Sequence, residues 1–250
     1  MTNLASKMMN RLARSACRVG RAKRAPPFLS LVVALCAVPA ADQLRAQSVP
    51  GEQAQLIAVV QSESPAAEKV RACKRLAAIG DASSIPALAP LLTDEQLSHP
   101  ARLALEAIPD PACDEALRKA MAGLKGRLLV GVINSIGVRR DAKAADALGA
   151  RLGDPEPEVA KAAAAALGRI AGVAAVKALG QALGSGAAAV RGEVDGELDR
   201  CAESARAAGR QDEAIRLYDL VSKADVPQNR VLEGVRGAIV ARGPAGLPLL

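Results

Sequence analysis

The sequence predicts an all-α fold, a right-handed α-solenoid of about six stacked antiparallel helix pairs. Three observations support this prediction: a lack of aromatic residues, an internal repeat, and helix-capping residues between the repeats. The 250 residues include one Tyr, one Phe and no Trp, so the core must be built from smaller aliphatic side chains. Such side chains suit closely packed helices better than a β-sandwich or barrel.

The internal repeat is a short motif with an aliphatic residue, two variable positions, an Ile and then a turn. The repeated isoleucines are Ile79, Ile108, Ile136 and Ile170, which are 29, 28 and 34 residues apart. Another apolar segment follows each turn, so the unit is a helix, a turn and a helix of roughly thirty residues. Helices of this length are marginal alone, and stacking of neighbouring pairs stabilises them.

Capping residues separate the units. In the stretch LGDPEPEVAKAAAAALGRI, Asp154 is placed to accept the free amide hydrogens of the next helix. Pro155 and Pro157 occupy positions that a first helical turn tolerates. Asp81 and Asp110 mark two other turns in the same way.

The longest apolar run, residues 159–183, has the length of a membrane span but carries Lys161, Arg169 and Lys177. Each of these charges would cost about 2.5–3.5 kcal/mol near the centre of a bilayer. The run also crosses the position where the other repeats turn. We therefore predict two helices, residues 159–170 and 173–183, joined by a tight bend.

The unit over residues 143–170 opens with DPEPEV and closes with AAAALGRI, and it resembles HEAT repeats, in particular the short phycobilisome-lyase-type HEAT-like repeats of bacteria. That family has an Arg after the Val. Arg71 and Arg191 keep this Arg, whereas Ala160 replaces it. The resemblance covers about residues 52–195. It implies a solenoid whose second helices line the concave side.

A second resemblance concerns GRQDEAIRLYDLV, which is similar to the first helix of a tetratricopeptide repeat through Gly209, Ala214, Ile215 and Tyr218. This single unit, near residues 202–227, predicts one more stacked helix pair. The final GPAGLPLL predicts the start of a further helix. We therefore expect the array, residues 51–250, to be truncated at its C-terminus.

The positive charge of the chain lies at its N-terminus. The first 41 residues contain seven basic and no acidic residues, and the remaining 26 basic residues balance all 26 acidic ones. An apolar segment, residues 28–38, and a small-residue region follow, which is the order of a secretory signal peptide. We expect residues 1–46 to be the signal peptide and a short linker, with cleavage after Ala40, Ala41 or Ala46. The mature chain would be periplasmic or secreted, without stable membrane insertion.

Residues with catalytic potential are few. His99 is the only histidine, and Cys73, Cys113 and Cys201 are dispersed, which is typical of small core residues rather than a metal or disulfide framework. We predict no catalytic residue, no metal and no cofactor. The neutral mature chain, with a single Tyr, lacks the basic stripe and aromatic platform of nucleic-acid binders.

Candidate binding residues lie on the second helices of the pairs. Arg102 and Glu106 are one turn apart, Arg127 begins the next second helix, and Asn134 and Arg169 occupy polar positions at nearby repeat offsets. These residues predict a ridge that binds a protein partner of unknown identity. The alternative is a solvated helix surface with weak charge pairs.

Three functions fit the sequence. The first is a non-catalytic, exported scaffold or protein-binding module. The second is the helical accessory part of a larger exported enzyme. The third follows only from the resemblance, because some proteins with these repeats are bilin lyases. The export signal and the scarcity of aromatic residues to hold a tetrapyrrole argue against the third function.

Overall fold

The computed structural model of the chain describes residues 51–185 and 188–249. Within these ranges the chain forms α-helices and short 3-10 helices and no β-strand, which confirms the predicted all-α class. The predicted signal segment, residues 1–46, lies outside the described residues. No helix of the described part has the length and apolarity needed to cross a bilayer.

Twelve α-helices are described, and they form six consecutive pairs, as predicted. They are α1 Glu52–Gln61, α2 Ala66–Ile79, α3 Ile85–Leu88, α4 Ser98–Ala107, α5 Pro111–Gly123, α6 Gly126–Arg139, α7 Ala145–Arg151, α8 Pro157–Ile170, α9 Val173–Ser185, α10 Ala188–Ala207, α11 Gln211–Ser222 and α12 Gln228–Arg242. Short 3-10 helices span Ala82–Ser84, Ala89–Thr93, Ala142–Ala144 and Gly243–Leu249.

The pairs stack in two layers. The second helices α2, α4, α6, α8 and α10 contact one another in sequence, and we call them the second-helix layer. The first helices α1, α3, α5, α7 and α9 form the first-helix layer against them. Aliphatic side chains fill the space between the layers, including Leu105, Leu117, Ile133, Leu148 and Leu179. The result is an all-α solenoid.

Aspartates hold the turns that open the first helices. Asp81, Asp110 and Asp141 each accept a hydrogen bond from the backbone amide two residues later, at 2.8, 2.8 and 3.1 Å. Asp154 accepts in the same way from the amide of Glu156, at 3.0 Å, one residue before α8 begins. The side chains of Asp81, Asp110 and Asp141 satisfy amides that the helices leave free. Asp154 was predicted to cap α8 in this way, but it holds the turn before the helix, because Glu156 is the N-cap residue and α8 has no side-chain cap.

The long apolar run is two helices, which confirms the prediction. Helix α8 ends at Ile170 and α9 begins at Val173. Ala171 closes α8 in the left-handed region, with φ of 50°, and its amide donates to the carbonyl of Leu167. The bend between the two helices therefore begins at Ala171. Gly168, three residues earlier, lies within the last helical turn of α8 and is not part of the bend.

Small residues set the spacing in the middle of the second-helix layer. Ala163, Ala164 and Ala166 of α8 are fully buried. A Cβ added to Gly137 of α6 would lie 2.8 Å from the Cα of Ala166, closer than such atoms approach in proteins. Glycine at this position therefore allows the backbones of α6 and α8 to approach closely.

Ion pairs join successive repeats. Arg118 on α5 pairs with Asp141, which opens the next pair, whereas Arg75 on α2 donates two hydrogen bonds to Glu52 on α1 within the first pair. Arg191, which occupies the family's Arg position, pairs with Asp225 at 2.5 Å. At the equivalent position of α8, Ala160 is completely buried.

The sixth pair, α11 and α12, stacks on α10, as the single tetratricopeptide-like unit predicted. The segment Gly243–Leu249 is a 3-10 helix that folds against α12 and is not the α-helical turn that we expected. Gly246 of this segment is buried against α12. A Cβ added to it would lie 2.6 Å from the carbonyl oxygen of Ile239, so the position has room only for glycine.

Candidate functional site

The helices of the second-helix layer bury one side and expose the other. On α6, Leu129, Val132 and Ile136 are buried, whereas Arg127 and Val138 are exposed on the opposite side. Leu103 on α4 and Val138 on α6 keep 40% and 54% of their surface exposed, although both are large apolar residues. The exposed side thus combines charged, polar and apolar groups.

All five predicted binding residues lie on this layer. Arg102 and Glu106 are on α4, Arg127 and Asn134 on α6, and Arg169 on α8. Arg127 and Arg169 are exposed, and the other three are partly buried. Arg127 keeps 81% of its side chain exposed and approaches Glu95 only to 3.9 Å, so it is available to a partner.

Arg102 differs from the other predicted residues because its side chain lies across α6. Its guanidinium donates to the carbonyl oxygen of Gly131 at 3.0 Å and to the hydroxyl of Ser135 at 3.2 Å. A Cβ at Gly131 would lie 2.8 Å from the guanidinium carbon. Burial lowers the pKa of Arg102, and Glu106 opposes this effect. The main contacts of Arg102 join two repeats.

Arg169 borders a cleft of about 320 Å³ between α8 and α10. Two further arginines, Arg140 and Arg200, line the same cleft, together with Glu193 and Glu197. We call it the arginine cleft. Small residues form the rest of its wall, namely Ala165, Gly168, Ala171, Cys201 and Ser204.

Glu197 is the buried acid of the arginine cleft, with 4% of its side chain exposed. It pairs with Arg200 and lies across Gly168, where any Cβ would overlap its carboxylate. Burial raises the pKa of Glu197, and the positive charges of Arg200 and Arg169 partly offset this effect. The glycine in α8 therefore makes room for a carboxylate from α10.

Four charged residues of the arginine cleft were not among the binding residues predicted from the sequence, namely Arg140, Arg200, Glu193 and Glu197. A signal for two of them was present, because Arg140, Arg169 and Arg200 are 29 and 31 residues apart, close to the repeat length. Residues at one repeat spacing occupy equivalent places in successive units of a solenoid.

Arg139 is a structural residue with only 10% of its side chain exposed. It pairs with Asp114 and donates to the carbonyl oxygens of Leu105, Ile108 and Asp110, at 2.8, 2.8 and 2.9 Å. The guanidinium thus satisfies carbonyl groups at the C-terminal end of α4 that the helix leaves free.

A second charged cluster joins α10 to the last pair. Arg230 on α12 donates to Asp195 at 2.5 Å and lies 3.5 Å from Asp199. Desolvation and the neighbouring Asp195 raise the pKa of Asp199 to about 6. Nearby, the hydroxyl of Tyr218 donates to Glu203 at 2.5 Å, beside a cleft of about 370 Å³.

The residues with catalytic potential are poorly placed for chemistry. Cys73, Cys113 and Cys201 are buried and free, and burial raises the pKa of each thiol to about 11. They are therefore uncharged core residues at neutral pH, as predicted. His99 is exposed on α4, with its Nδ1 atom 3.3 Å from Arg102. Within the described ranges, no three His, Cys, Asp or Glu residues are grouped to hold a metal ion.

The stacked pairs and the exposed second-helix layer define a helical-repeat protein, an α-solenoid. Residues 115–194, from α5 to α10, match the family of HEAT repeats. This part of the α-solenoid therefore consists of HEAT-like helical repeats, in agreement with the resemblance seen in the sequence.

The solved structures that the chain resembles in part include an engineered protein from a structural genomics consortium. It is 22% identical, with a TM-score of 0.45, over 80% of this chain and 98% of that chain. Human deoxyhypusine hydroxylase in complex with glycerol is 21% identical, with a TM-score of 0.33, over 84% of this chain and 80% of that chain. No curated protein matches the sequence.

Proposed function

We propose that the protein is an exported, non-catalytic scaffold that binds a protein partner along its second-helix layer. The observation that carries this proposal is the composition of the exposed side of α4 and α6. Leu103 and Val138, two exposed large apolar residues, lie on neighbouring helices with Glu106, Arg127 and Asn134. Mixed surfaces of this kind, repeated along a solenoid, are suited to extended contact with another protein.

The chemical state of the reactive residues supports a non-catalytic role. A cysteine nucleophile needs a thiolate that substrate can reach, and burial opposes both requirements at Cys73, Cys113 and Cys201. The single histidine, His99, has an arginine beside it and not the acid that would orient a general base.

Export is proposed from residues 1–46. The test is N-terminal sequencing of the chain recovered from the periplasm or medium of a bacterial host. We expect a mature N-terminus that follows Ala40, Ala41 or Ala46. An intact N-terminus on a chain that stays in the cytoplasm would overturn this part of the proposal.

Partner binding can be tested by site-specific photo-crosslinking in living cells of the native host. A photoreactive residue replaces Leu103 in one variant and Val138 in another, since both side chains are exposed on the second-helix layer. We expect each variant to form one discrete adduct with the same partner protein, because neighbouring repeats contribute to one surface.

The matched control places the same photoreactive residue at Val173, which is 90% exposed at the start of α9, in the first-helix layer. It should form no such adduct. Equal adducts at all three positions, or none at Leu103 and Val138, would contradict binding along the second-helix layer.

A further inference from the structure

Two guanidinium groups of the arginine cleft make no hydrogen bond or ion pair within the described part of the chain, although the charge of Arg169 acts on the nearby Glu197. Among the described residues, Arg140 and Arg169 make no side-chain hydrogen bond or ion pair, and Arg200 pairs only with Glu197. Arg140 follows the end of α6 with a φ of 53°, which places it beside the last turn of α8 that carries Arg169. Three successive repeats therefore contribute one arginine each to a single cleft.

The wall of the cleft leaves these groups accessible. Ala165, Gly168 and Ala171 present little or no side chain beside them, and the open volume of about 320 Å³ admits a side chain from another molecule. A guanidinium offers parallel N–H donors that match the two oxygens of a carboxylate. The unpaired arginines are thus suited to accept carboxylates.

The two glutamates of the cleft restrict the kind of anion. Glu193 and Glu197 leave the five charged residues with a net charge of about one positive unit, which suits one or two carboxylates and not a long run of negative groups. The only Tyr of the chain, Tyr218, is 2% exposed and cannot stack on a base. An acidic protein segment fits these features better than a nucleic acid.

We propose that the arginine cleft binds carboxylate side chains of an acidic segment on the protein partner. This inference rests on the proposed function and specifies the chemistry of the partner. Arg140 and Arg169 would each hold a carboxylate, while Glu197 keeps Arg200 oriented along the wall.

The test measures binding of a short fluorescent peptide, with two glutamates among glycines and an amidated C-terminus, to the full chain, by anisotropy at physiological salt. We expect saturable binding that weakens about tenfold or more in Arg169→Glu and in Arg140→Glu, because each change replaces attraction with repulsion. The matched control is Arg216→Glu, an exposed arginine on α11 outside the cleft, which should bind within about twofold of the unchanged chain.

Three outcomes would overturn the inference. The first is equal binding of the same peptide with glutamine in place of both glutamates. The second is an equal loss in Arg216→Glu, which would indicate a general charge effect. The third is tighter binding of a single-stranded oligothymidylate that depends on the same arginines. Circular dichroism of each variant confirms that it is folded. The crosslinking at Leu103 and Val138 is independent, so its success together with failed peptide binding would remove only this inference.

Discussion

Asp195 and Asp199, one turn apart on α10, illustrate how the fold changes the ionisation of single residues. Both side chains have a buried oxygen without a hydrogen-bond partner. Asp195 is fully buried but accepts directly from Arg230, whereas Asp199 lies farther from that guanidinium. The raised pKa of Asp199 follows from desolvation first and from Asp195 second, with further repulsion from Glu233 and Glu203.

This pKa predicts a pH dependence of stability. The pKa of Asp199 rises from 3.8 to about 6 on folding, so the folded protein retains a proton that the unfolded chain has lost between these pH values. The contribution of Asp199 to the free energy of unfolding is therefore fully present below pH 3.8, and it is lost as the pH rises through about 6. The full shift corresponds to about 3 kcal/mol, which solvent screening of the partly exposed side chain reduces to about 2 kcal/mol.

Asp199→Asn removes this ionisation. The variant should be more stable than the unchanged chain at neutral pH, and the difference should vanish near the unfolded pKa, as measured by thermal unfolding across pH. Asp195→Asn serves as the contrast, because it weakens the 2.5 Å contact with Arg230 and should destabilise the protein at neutral pH. An Asp199→Asn variant that is less stable at neutral pH would contradict the assignment.

Arg139 carries a second prediction at the residue scale. Arg139→Met keeps a side chain of similar length but leaves four carbonyl oxygens and Asp114 without their donor. We expect a loss of about 2–4 kcal/mol in the free energy of unfolding, measured in urea. Arg127→Met, at a site 81% exposed, should change it by about 0.5 kcal/mol or less. Equal effects of the two changes would contradict the structural role of Arg139.

At the scale of elements, helix positions could be predicted from local signals, and helix ends only in part. Capping aspartates and the repeated isoleucines located the turns, because these signals act within a few residues. Ile79 and Ile170 end their helices, but α6 continues three residues past Ile136. Its last turn includes Arg139, which is held by groups 25–34 residues away, and no local pattern reports such contacts.

The role of a glycine within a helix also cannot be predicted from local sequence alone. Gly137 and Gly192 are both helical, and by propensity alone alanine should stabilise either site by about 1 kcal/mol. A Cβ at Gly137 meets the backbone of Ala166, whereas a Cβ at Gly192 meets nothing within 4 Å. Only the three-dimensional packing of α6 on α8 distinguishes them.

The two glycines form a matched pair of variants. Gly137→Ala should lower the free energy of unfolding by about 1–3 kcal/mol, because α6 and α8 must separate. Gly192→Ala should raise it by about 0.5–1 kcal/mol. Chemical denaturation of both variants measures the difference. A gain in stability for Gly137→Ala would show that α6 and α8 can accommodate a Cβ, which contradicts the close backbone contact.

At the scale of the whole molecule, the repeat length was the information that mattered most. It predicted six helix pairs in two layers, and it placed all five candidate binding residues on the second helices. It could not show that Arg102 folds across Gly131, since that depends on the distance between α4 and α6. The sequence also contained the near-regular spacing of Arg140, Arg169 and Arg200. Only the stacking of three repeats in space shows that these arginines line one cleft.

Stacked repeats contact mainly their neighbours, so stability should vary along the array. The chain offers a natural probe of one end, because Tyr218 is its only Tyr and lies buried in the last pair while Trp is absent. Tyrosine fluorescence therefore reports α11 and α12, whereas far-ultraviolet circular dichroism reports all helices.

We expect Gly137→Ala to lower the urea midpoint seen by circular dichroism more than the midpoint seen by Tyr218 fluorescence. The reason is that α6 and α8 lie two pairs or more from α11, and the perturbation reaches the last pair only through α10. Gly234→Ala is the reciprocal variant, because a Cβ there would lie 2.9 Å from the amide nitrogen of Ser222 on α11. It should shift the Tyr218 midpoint more than the circular dichroism midpoint. If both probes move equally in both variants, the array unfolds as one cooperative unit and the nearest-neighbour description is wrong.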